Sequence, residues 1–341
     1  MLVAPSDHLI DNVEEFSKSL KVGLKAVANE NITMFGLKPA RPETGFGYLQ
    51  VGERQDEGYY DLKSFIEKPP KNVAKDILKT DEYLWNSGIF LFKPKVMIGA
   101  FQQYAPELIP PVKTAIRKGK TDLDFFRIEK GAWSDCSEIS IDYAIMEKAK
   151  NLAVVEHKGD WSDMGNWHAV WSQMEKDNNG VASSKHSHTI DCKNSLLRSE
   201  NDSQEIVGLG LNNIVAVAMP DAVLIADRDH IRDMNKIVPN LIANSVMQAE
   251  AFLKEYRPWG WFEILAKGVH FQVKRIHIKK TSAISLQSHK YRSEHWVLVQ
   301  GIANVTIGEE KKQLRSGESI FIPQGVIHRL ENTSNEPTTV I

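Results

Sequence analysis

LQSHKYRSEHWVLVQG at residues 286–301 and GESIFIPQGVIHRLEN at 317–332 are the stretches whose reading decides the fold of the C-terminal part of this 341-residue chain. In the second, Gly317 is followed after five residues by Pro323, Gln324 and Gly325, after two more by His328 and after three more by Asn332. In the first, six residues separate Glu294 from Gly301 and four separate His289 from Glu294, with Gln287 two before His289. In an extended run Gln287 and His289 point to one face, toward a barrel interior if Leu286 and Ser288 point away. Glu294 and His328 arrive from neighbouring strands. One amide oxygen, two imidazoles and one carboxylate form a mixed N/O set that suits zinc, manganese, iron or cobalt and leaves room for a substrate oxygen. Gln287, His289, Glu294 and His328 are therefore the expected ligands of a divalent metal on a small β-barrel.

The glycine, proline, histidine and asparagine spacing of 317–332 is that of the second motif of the cupin barrel, and residues 247–341 are expected to form that barrel. Upstream, residues 1–178 alternate short apolar runs with helical periodicity, the pattern of an α/β layer on a mostly parallel sheet. LVAP at 2–5, ITMFGL at 32–37, IFLF at 89–92 and LAVVEH at 152–157 read as strands. Val13, Phe16, Leu20, Leu24 and Val27 recur at three- and four-residue spacing, which predicts an amphipathic helix entered through Asp11 or Asn12. SIDYAIMEKA at 140–149 and NWHAVWSQM at 166–174 also read as helices. DNNG at 177–180 is turn chemistry, and 179–246 reads as a β-rich connector with strands such as IVAVAM and AVLIAD. LIANSVMQAEAFLKEY at 241–256 is apolar and helix-compatible, and no internal repeat is evident.

Composition narrows the function classes. With 42% hydrophobic and 25% charged residues the chain is long enough to bury the cores of two or three domains. A net charge of −2 gives no electrostatic case for nucleic acid or an anionic membrane surface. Cys136 and Cys192 stand in no metal or redox spacing and read as buried thiols of a reducing compartment. The N-terminal MLVAPSDHLI carries Pro5, Asp7 and His8 without a basic lead, so it reads as neither signal peptide nor membrane span, and a cytoplasmic protein is expected. His186 and His188 form a His-x-His in a Ser/His/Lys-rich turn, read as a solvated loop.

RPWGWFEIL, VKRIHIKK, LQSHKYRSEHW and IPQGVIHRLEN, in this order, resemble the type II phosphomannose isomerase part of bacterial mannose-1-phosphate guanylyltransferase/mannose-6-phosphate isomerases. APSDH at 4–8, ETGFGYLQ at 43–50, FIEKP at 65–69, WNSGIF at 85–90, SIDYAIMEK at 140–148 and WSDMGNW at 161–167 are similar to the guanylyltransferase part of the same enzymes. The resemblance spans essentially the whole chain and implies an enzyme of GDP-mannose supply for polysaccharide biosynthesis. Its substrates would be mannose 6-phosphate, mannose 1-phosphate and GTP, and homo-oligomers are an open expectation. By the resemblance Asp7 and Asp163 would hold Mg²⁺ for nucleotidyl transfer, Glu67 and Asn86 would hold sugar hydroxyls, and the Gly45 backbone would lie close to the sugar.

For the isomerase chemistry, an enediol route moves a proton between C2 and C1, which asks for an electrophile on the oxygens and a base near carbon. His295 or a carboxylate near the pocket is the expected base. Arg292, Lys274 or Arg275 would bind the phosphate as charge-assisted donors, with Arg292 favoured by its place between two ligands. Lys290 and Tyr291 stand where relatives carry further histidines. The family opens with a glycine-rich loop of the form GGxGxRLWPLS upstream of the segment matching APSDH, and it continues beyond the residues matching PTTVI. This sequence shows neither, so a chain shortened at both ends is expected, with guanylyl transfer in question. Two other readings stay open: a non-catalytic sugar-phosphate-binding half-enzyme that needs a partner chain, and an unrelated cupin oxygenase or binding module.

Overall fold

The computed structural model describes residues 1–122 and 125–341. Its backbone divides into two units, Met1–Gln173 and Met174–Ile341. In chain order the first contains β1 (Leu2–Val3), β2 (Leu9–Ile10), α1 (Val13–Ala28), β3 (Ile32–Leu37), β4 (Tyr48–Arg54), β5 (Tyr60–Ile66), α2 (Lys71–Ile77) and β6 (Tyr83–Leu91). There follow α3 (Pro94–Tyr104), α4 (Ile109–Arg117), a hairpin of β7 (Lys120–Asp122) and β8 (Phe125–Arg127), α5 (Lys130–Ser134), β9 (Leu152–Glu156), β10 (Trp161–Ser162) and α6 (Trp167–Gln173).

The main sheet runs β1-β6-β3-β9-β5-β4, with β4 also pairing β6. The expected mostly parallel sheet is corrected here to a mixed one: only β3 and β9 pair in parallel, and the other pairings are antiparallel. Hairpin-connected β4 and β5 return on themselves, and β6 comes back beside both β3 and β4, so direction reverses at nearly every neighbour. Helix α1 begins where Asn12 accepts a hydrogen bond from the Glu15 amide at 2.9 Å, the capping geometry its residue type favours. Its buried face carries Ser19, Gly23, Ala26 and Val27, while Val13 and Leu24 of the predicted stripe are exposed. The stripe rotates because the helix lies close to the sheet. A Cβ on Gly23 would come within 3.1 Å of the Phe35 ring, so small residues must face inward. The predicted helix over 140–149 is a single π-helical turn, Asp142–Met146. This wider turn buries three consecutive residues, Ala144, Ile145 and Met146.

The second unit starts with β11 (Ala182–Ser183), β12 (Ser187–Ile190), β13 (Leu196–Ser199), β14 (Ile206–Leu209), β15 (Ile214–Ala218) and β16 (Val223–Asp227). Strands β11, β13 and β15 stack in parallel, with Ala182, Leu196 and Val215 in one row. Strands β12 and β14 stack in parallel beside them. Each strand of the first stack follows a left-handed residue, Gly180, Asn194 or Asn213. The chain therefore coils through successive parallel strands, at an interval that changes from 14 to 19 residues between those corners. His188 lies in β12 rather than in a loop, whereas His186 sits in the turn that precedes it, and each is 2.9 Å from the Glu205 carboxylate. Cys192 is buried as expected, whereas Cys136 in the first unit is half-buried.

The apolar stretch at 241–256 is not one helix. Helix α7 spans Met234–Ala243 and ends where Ser245 turns left-handed at φ 55°. Then come β17 (Lys254–Arg257), β18 (Gly260–Lys267), β19 (Gln272–Ile278), β20 (Ser282–Ala283), β21 (Glu294–Gln300), β22 (Ile302–Ile307), β23 (Glu310–Arg315), β24 (Ser319–Ile322), β25 (His328–Asn332) and β26 (Thr338–Val340). They form two sheets, β17-β18-β19-β26-β21-β24 and β20-β25-β22-β23. Their apolar faces share one core containing Ile278, Trp296, Leu298, Val305, Leu330 and Val340. This is the cupin arrangement with its wall open between the sheets, not a continuously hydrogen-bonded barrel. Asn332 shows why the second motif ends in asparagine: its amide donates to the carbonyls of Ile278, Lys279 and Glu336, and its oxygen accepts from Ser334. The residue is 1% exposed, and it ties the end of β19 to the turn that follows β25.

Candidate functional site

The first motif places its ligand candidates by strand alternation. Gln287 bridges to His328 in an isolated β-pair, and Gln287 and His289 are half-buried while Leu286 and Ser288 are exposed. Glu294 opens β21 and His328 opens β25. One ligand atom each from His289, Glu294 and His328 lie within 4.8 Å of one another. His289 Nε2 stands 2.9 Å from Glu294 Oε1, and the two imidazole centroids are 5.0 Å apart.

The hydrogen bonds around this group decide what it can hold. His328 Nδ1 lies 2.9 Å from the Val326 carbonyl, which only accepts, so Nδ1 carries a proton and, in the neutral ring, Nε2 presents the lone pair. Among the described residues that Nε2 is buried without a hydrogen-bond partner, and it faces Glu294 Oε2 at 3.7 Å. A lone pair and a carboxylate directed at each other inside a protein fit a cation between them. Burial is the largest influence on His289 and holds it below the usual histidine range; Glu294 opposes this, and Arg292 reinforces it. The neutral ring is the form that ligates. Trp296, itself 4% exposed, donates its indole proton to Glu294 Oε2 at 2.9 Å and fixes the carboxylate. Arg292 donates to Glu294 Oε1 at 3.0 Å and to His289 Nε2 at 2.9 Å. The donor set fits a divalent ion of the zinc, manganese or cobalt type.

The remaining barrel residues divide by face. Lys274 pairs across from Ile264, and Ile276 from Phe262, on the side that packs in the core. Burial first, then the Arg292 guanidinium, pushes the Lys274 ammonium below the usual lysine range. Arg275 points the other way and pairs with Glu263 at 3.5 Å. His295 lies between inward Glu294 and buried Trp296 and is exposed on the opposite face. Alternation along β21 therefore carries it away from the group that Glu294 joins.

In the first unit the Gly45, Glu67 and Asn86 segments meet. Tyr48 pairs with both Ile66 and Trp85, and the Asn86 amide donates to the Gly47 carbonyl at 2.8 Å. Tyr48 Oη ties the loop back by donating to the Glu43 carbonyl at 2.9 Å. A Cβ on Gly47 would stand 2.6 Å from Glu67 Oε2 and 2.9 Å from the Phe65 ring, so the loop approaches both side chains closely. Asp142, from SIDYAIMEK, escaped assignment in the sequence; it accepts from Asn86 Nδ2 at 3.2 Å. Burial, and secondarily Glu67, raises its pKa above the aspartate range. Its only signal was its place inside the SIDYAIMEK motif. Asp7 precedes β2 and Asp163 follows β10, and these two strands pair with Leu9 opposite Ser162. Both carboxylates thus belong to one end of a two-stranded ladder. Phe46 packs edge-on against Trp85 and Trp161 beside it.

The fold and sites define a nucleotidyltransferase-type unit followed by a cupin-type unit with a candidate metal site. The family described as Nucleotidyl transferase matches residues 1–180, and that described as Mannose-6-phosphate isomerase C-terminal matches 244–341. The chain is 37% identical over its whole length to the xanthan biosynthesis protein XanB of Xanthomonas campestris pv. campestris, covering 72% of that protein. It is 35% identical over its whole length to a putative mannose-1-phosphate guanylyltransferase of Vibrio cholerae, covering 73%, and 34% identical to the mannose-1-phosphate guanylyltransferase of Escherichia coli, covering 72%. The crystal structure of mannose-1-phosphate geranyltransferase from Thermus thermophilus superposes with a TM-score of 0.61 at 28% identity, over 71% of this chain and 69% of that one. The chain belongs to the mannose-1-phosphate guanylyltransferase/mannose-6-phosphate isomerase family of enzymes. Among the described residues, no helix is long and apolar enough to cross a membrane.

Proposed function

We propose that the second unit interconverts mannose 6-phosphate and fructose 6-phosphate, and that the first binds mannose 1-phosphate for guanylyl transfer from GTP. The observation that carries the isomerase reading is the His328 Nε2 lone pair, fixed by the Val326 carbonyl and directed at Glu294. A divalent ion held by Gln287, His289, Glu294 and His328 would supply a Lewis acid for the sugar oxygens. Trp296 orients the Glu294 carboxylate, and Arg292 and Lys274 offer cations to the phosphate. The proton leaves C2 and returns to C1 through a carboxylate near the pocket, since His295 lies on the outer face. In the first unit Glu67 and Asn86 take sugar hydroxyls beside the Gly45 backbone, and Asp7 and Asp163 offer the hard oxygen donors that Mg²⁺ prefers. The proposed boundaries are 1–178, 179–246 and 247–341.

The test is isomerisation of mannose 6-phosphate by the purified chain before and after chelation, with zinc, manganese and cobalt restored singly. Turnover lost on chelation, regained with one ion and abolished in His328→Ala supports the reading. Absence of turnover from metal-loaded, folded protein overturns it.

A further inference from the structure

The loop that carries Gly45 is shaped by a carboxylate of its own. Residues 38–47 join the end of β3 to the start of β4 with no regular element between them, and a connection of that kind has many backbone shapes open to it unless side chains remove them. Two anchors tie it to the sheet. The buried Tyr48 phenol oxygen accepts from the Glu43 amide and donates to the Glu43 carbonyl, both at 2.9 Å. Further along, the Gly47 carbonyl accepts from the Asn86 amide at 2.8 Å. Between these anchors the chain turns through Thr44 and Gly45, and the Glu43 carboxylate accepts both amides there. Its Oε1 lies 3.1 Å from the Thr44 nitrogen and 3.3 Å from the Gly45 nitrogen.

The second carboxylate oxygen faces Arg41, whose Nε donates to Glu43 Oε2 at 3.2 Å. The Glu43 side chain is 15% exposed and that of Arg41 46%, so the carboxylate is largely shielded from water, where charge-assisted hydrogen bonds are stronger than at an open surface. The Arg41 guanidinium carbon in turn lies 5.3 Å from the Trp85 ring centroid, and Trp85 immediately precedes Asn86 on β6. Phe46 packs edge-on against the same indole with centroids 5.4 Å apart. One carboxylate thus joins the Gly45 backbone to the strand that presents Asn86, through Arg41 and Trp85.

We propose that Glu43 is a positioning residue of the sugar site: its carboxylate, braced by Arg41, holds the Thr44 and Gly45 backbone in the shape that a hexose phosphate meets, without touching the sugar itself. The inference rests on the reading of the first unit as a mannose 1-phosphate site. A loop that has to be ordered when the ligand arrives subtracts its ordering entropy from the affinity, and a loop ordered beforehand does not. Because Glu43 already engages both amides, the turn offers the sugar its shape rather than these two donors.

The experiment measures mannose 1-phosphate binding to the full chain by calorimetry, together with hydrogen exchange of the peptide covering 43–47 in the absence of ligand. Glu43→Ala is expected to speed that exchange about tenfold or more, since two amides lose their acceptor. It should weaken mannose 1-phosphate by about tenfold, through the ordering that binding must then supply. Glu43→Gln keeps an oxygen for the two amides and should restore most of both properties. Arg41→Ala leaves the Tyr48 anchor in place and should give a smaller loss, and the double variant with Glu43→Ala should be no worse than Glu43→Ala alone, because the two side chains act as one unit. Glu53→Ala, an exposed carboxylate further along β4, controls for the loss of one negative charge. Weaker binding in Glu43→Ala with unchanged exchange, or faster exchange with unchanged affinity, overturns the positioning role; so does a double variant whose losses simply add. Faster exchange at 43–47 in Glu43→Ala, in a parent chain that binds no mannose 1-phosphate, upholds the brace while refuting the sugar-site reading, so the two failures are distinguishable.

Discussion

Replacing Trp296 by phenylalanine removes a single hydrogen bond from the proposed metal centre while keeping an aromatic ring in its place. The indole proton reaches Glu294 Oε2 at 2.9 Å, and the ring packs edge-on against His328 with centroids 5.4 Å apart. Phenylalanine retains that packing and loses the donor. A hydrogen bond to a charged group is worth about 1.5–3 kcal/mol, which at about 1.4 kcal/mol per decade corresponds to roughly 10- to 150-fold in affinity. Loss of an outer partner that orients a metal ligand typically costs about 10- to 100-fold, so the two magnitudes agree. The expected result is a zinc or manganese Kd raised about 10- to 100-fold, read by competition with a chromogenic chelator, with far-UV circular dichroism unchanged. Val297→Ala, on the outward face of the same strand, should leave the Kd alone. If Trp296→Phe binds metal as tightly as the parent chain, Glu294 is not a ligand oriented by Trp296 and the centre has been misread.

Asn332→Ala should unfold the second unit more readily by about 2–4 kcal/mol, because three backbone carbonyls lose a donor worth about 0.5–1.5 kcal/mol each; an unchanged midpoint in urea would contradict the clamp. Burial holds His157 below the usual histidine range, and it is 5% exposed with Nδ1 3.1 Å from Ser19 Oγ. The unfolded chain therefore takes up its proton first, and stability present above the unfolded pKa declines as pH falls through the folded one; His157→Gln should flatten the acid limb of the first unit's unfolding curve. Asp142 behaves oppositely: its folded pKa is raised, so stability falls as pH climbs through that window. Asp142→Asn should raise the melting temperature at neutral pH while weakening mannose 1-phosphate, and a variant that neither gains stability nor loses sugar would refute its place in the sugar site. Gly36→Ala would drive a Cβ to 2.7 Å from Leu84 Cβ and should cost about 1–3 kcal/mol by overpacking, measured by thermal unfolding.

Much of this was legible from residue order because the relevant devices are local. The spacing of Gly317, Pro323, His328 and Asn332 encodes a turn and a strand of fixed length, so the ligand candidates could be named without coordinates. A period of two put Gln287 and His289 on one side. The Asn12 cap and the strands at 32–37 and 152–157 follow from equally local patterns. Sheet direction did not follow, since the apolar runs of a mixed sheet and a parallel one look alike when both faces are covered. The stacking of β11, β13 and β15 was hidden by its uneven interval.

What the sequence by itself determined was the kind of chemistry: which side chains carry nitrogen or oxygen donors, and at what spacing along each strand. Tertiary structure decided which of them meet. Lys274 and Arg275 are neighbours in the chain, yet one faces the core and the other solvent, because strand pairing assigns each residue a side. Glu294 and His295 are separated in the same way. The approach of His328 to Glu294 at 3.7 Å and the reach of Asn86 to Asp142 at 3.2 Å join residues 34 and 56 positions apart in sequence, and only folding supplies that proximity.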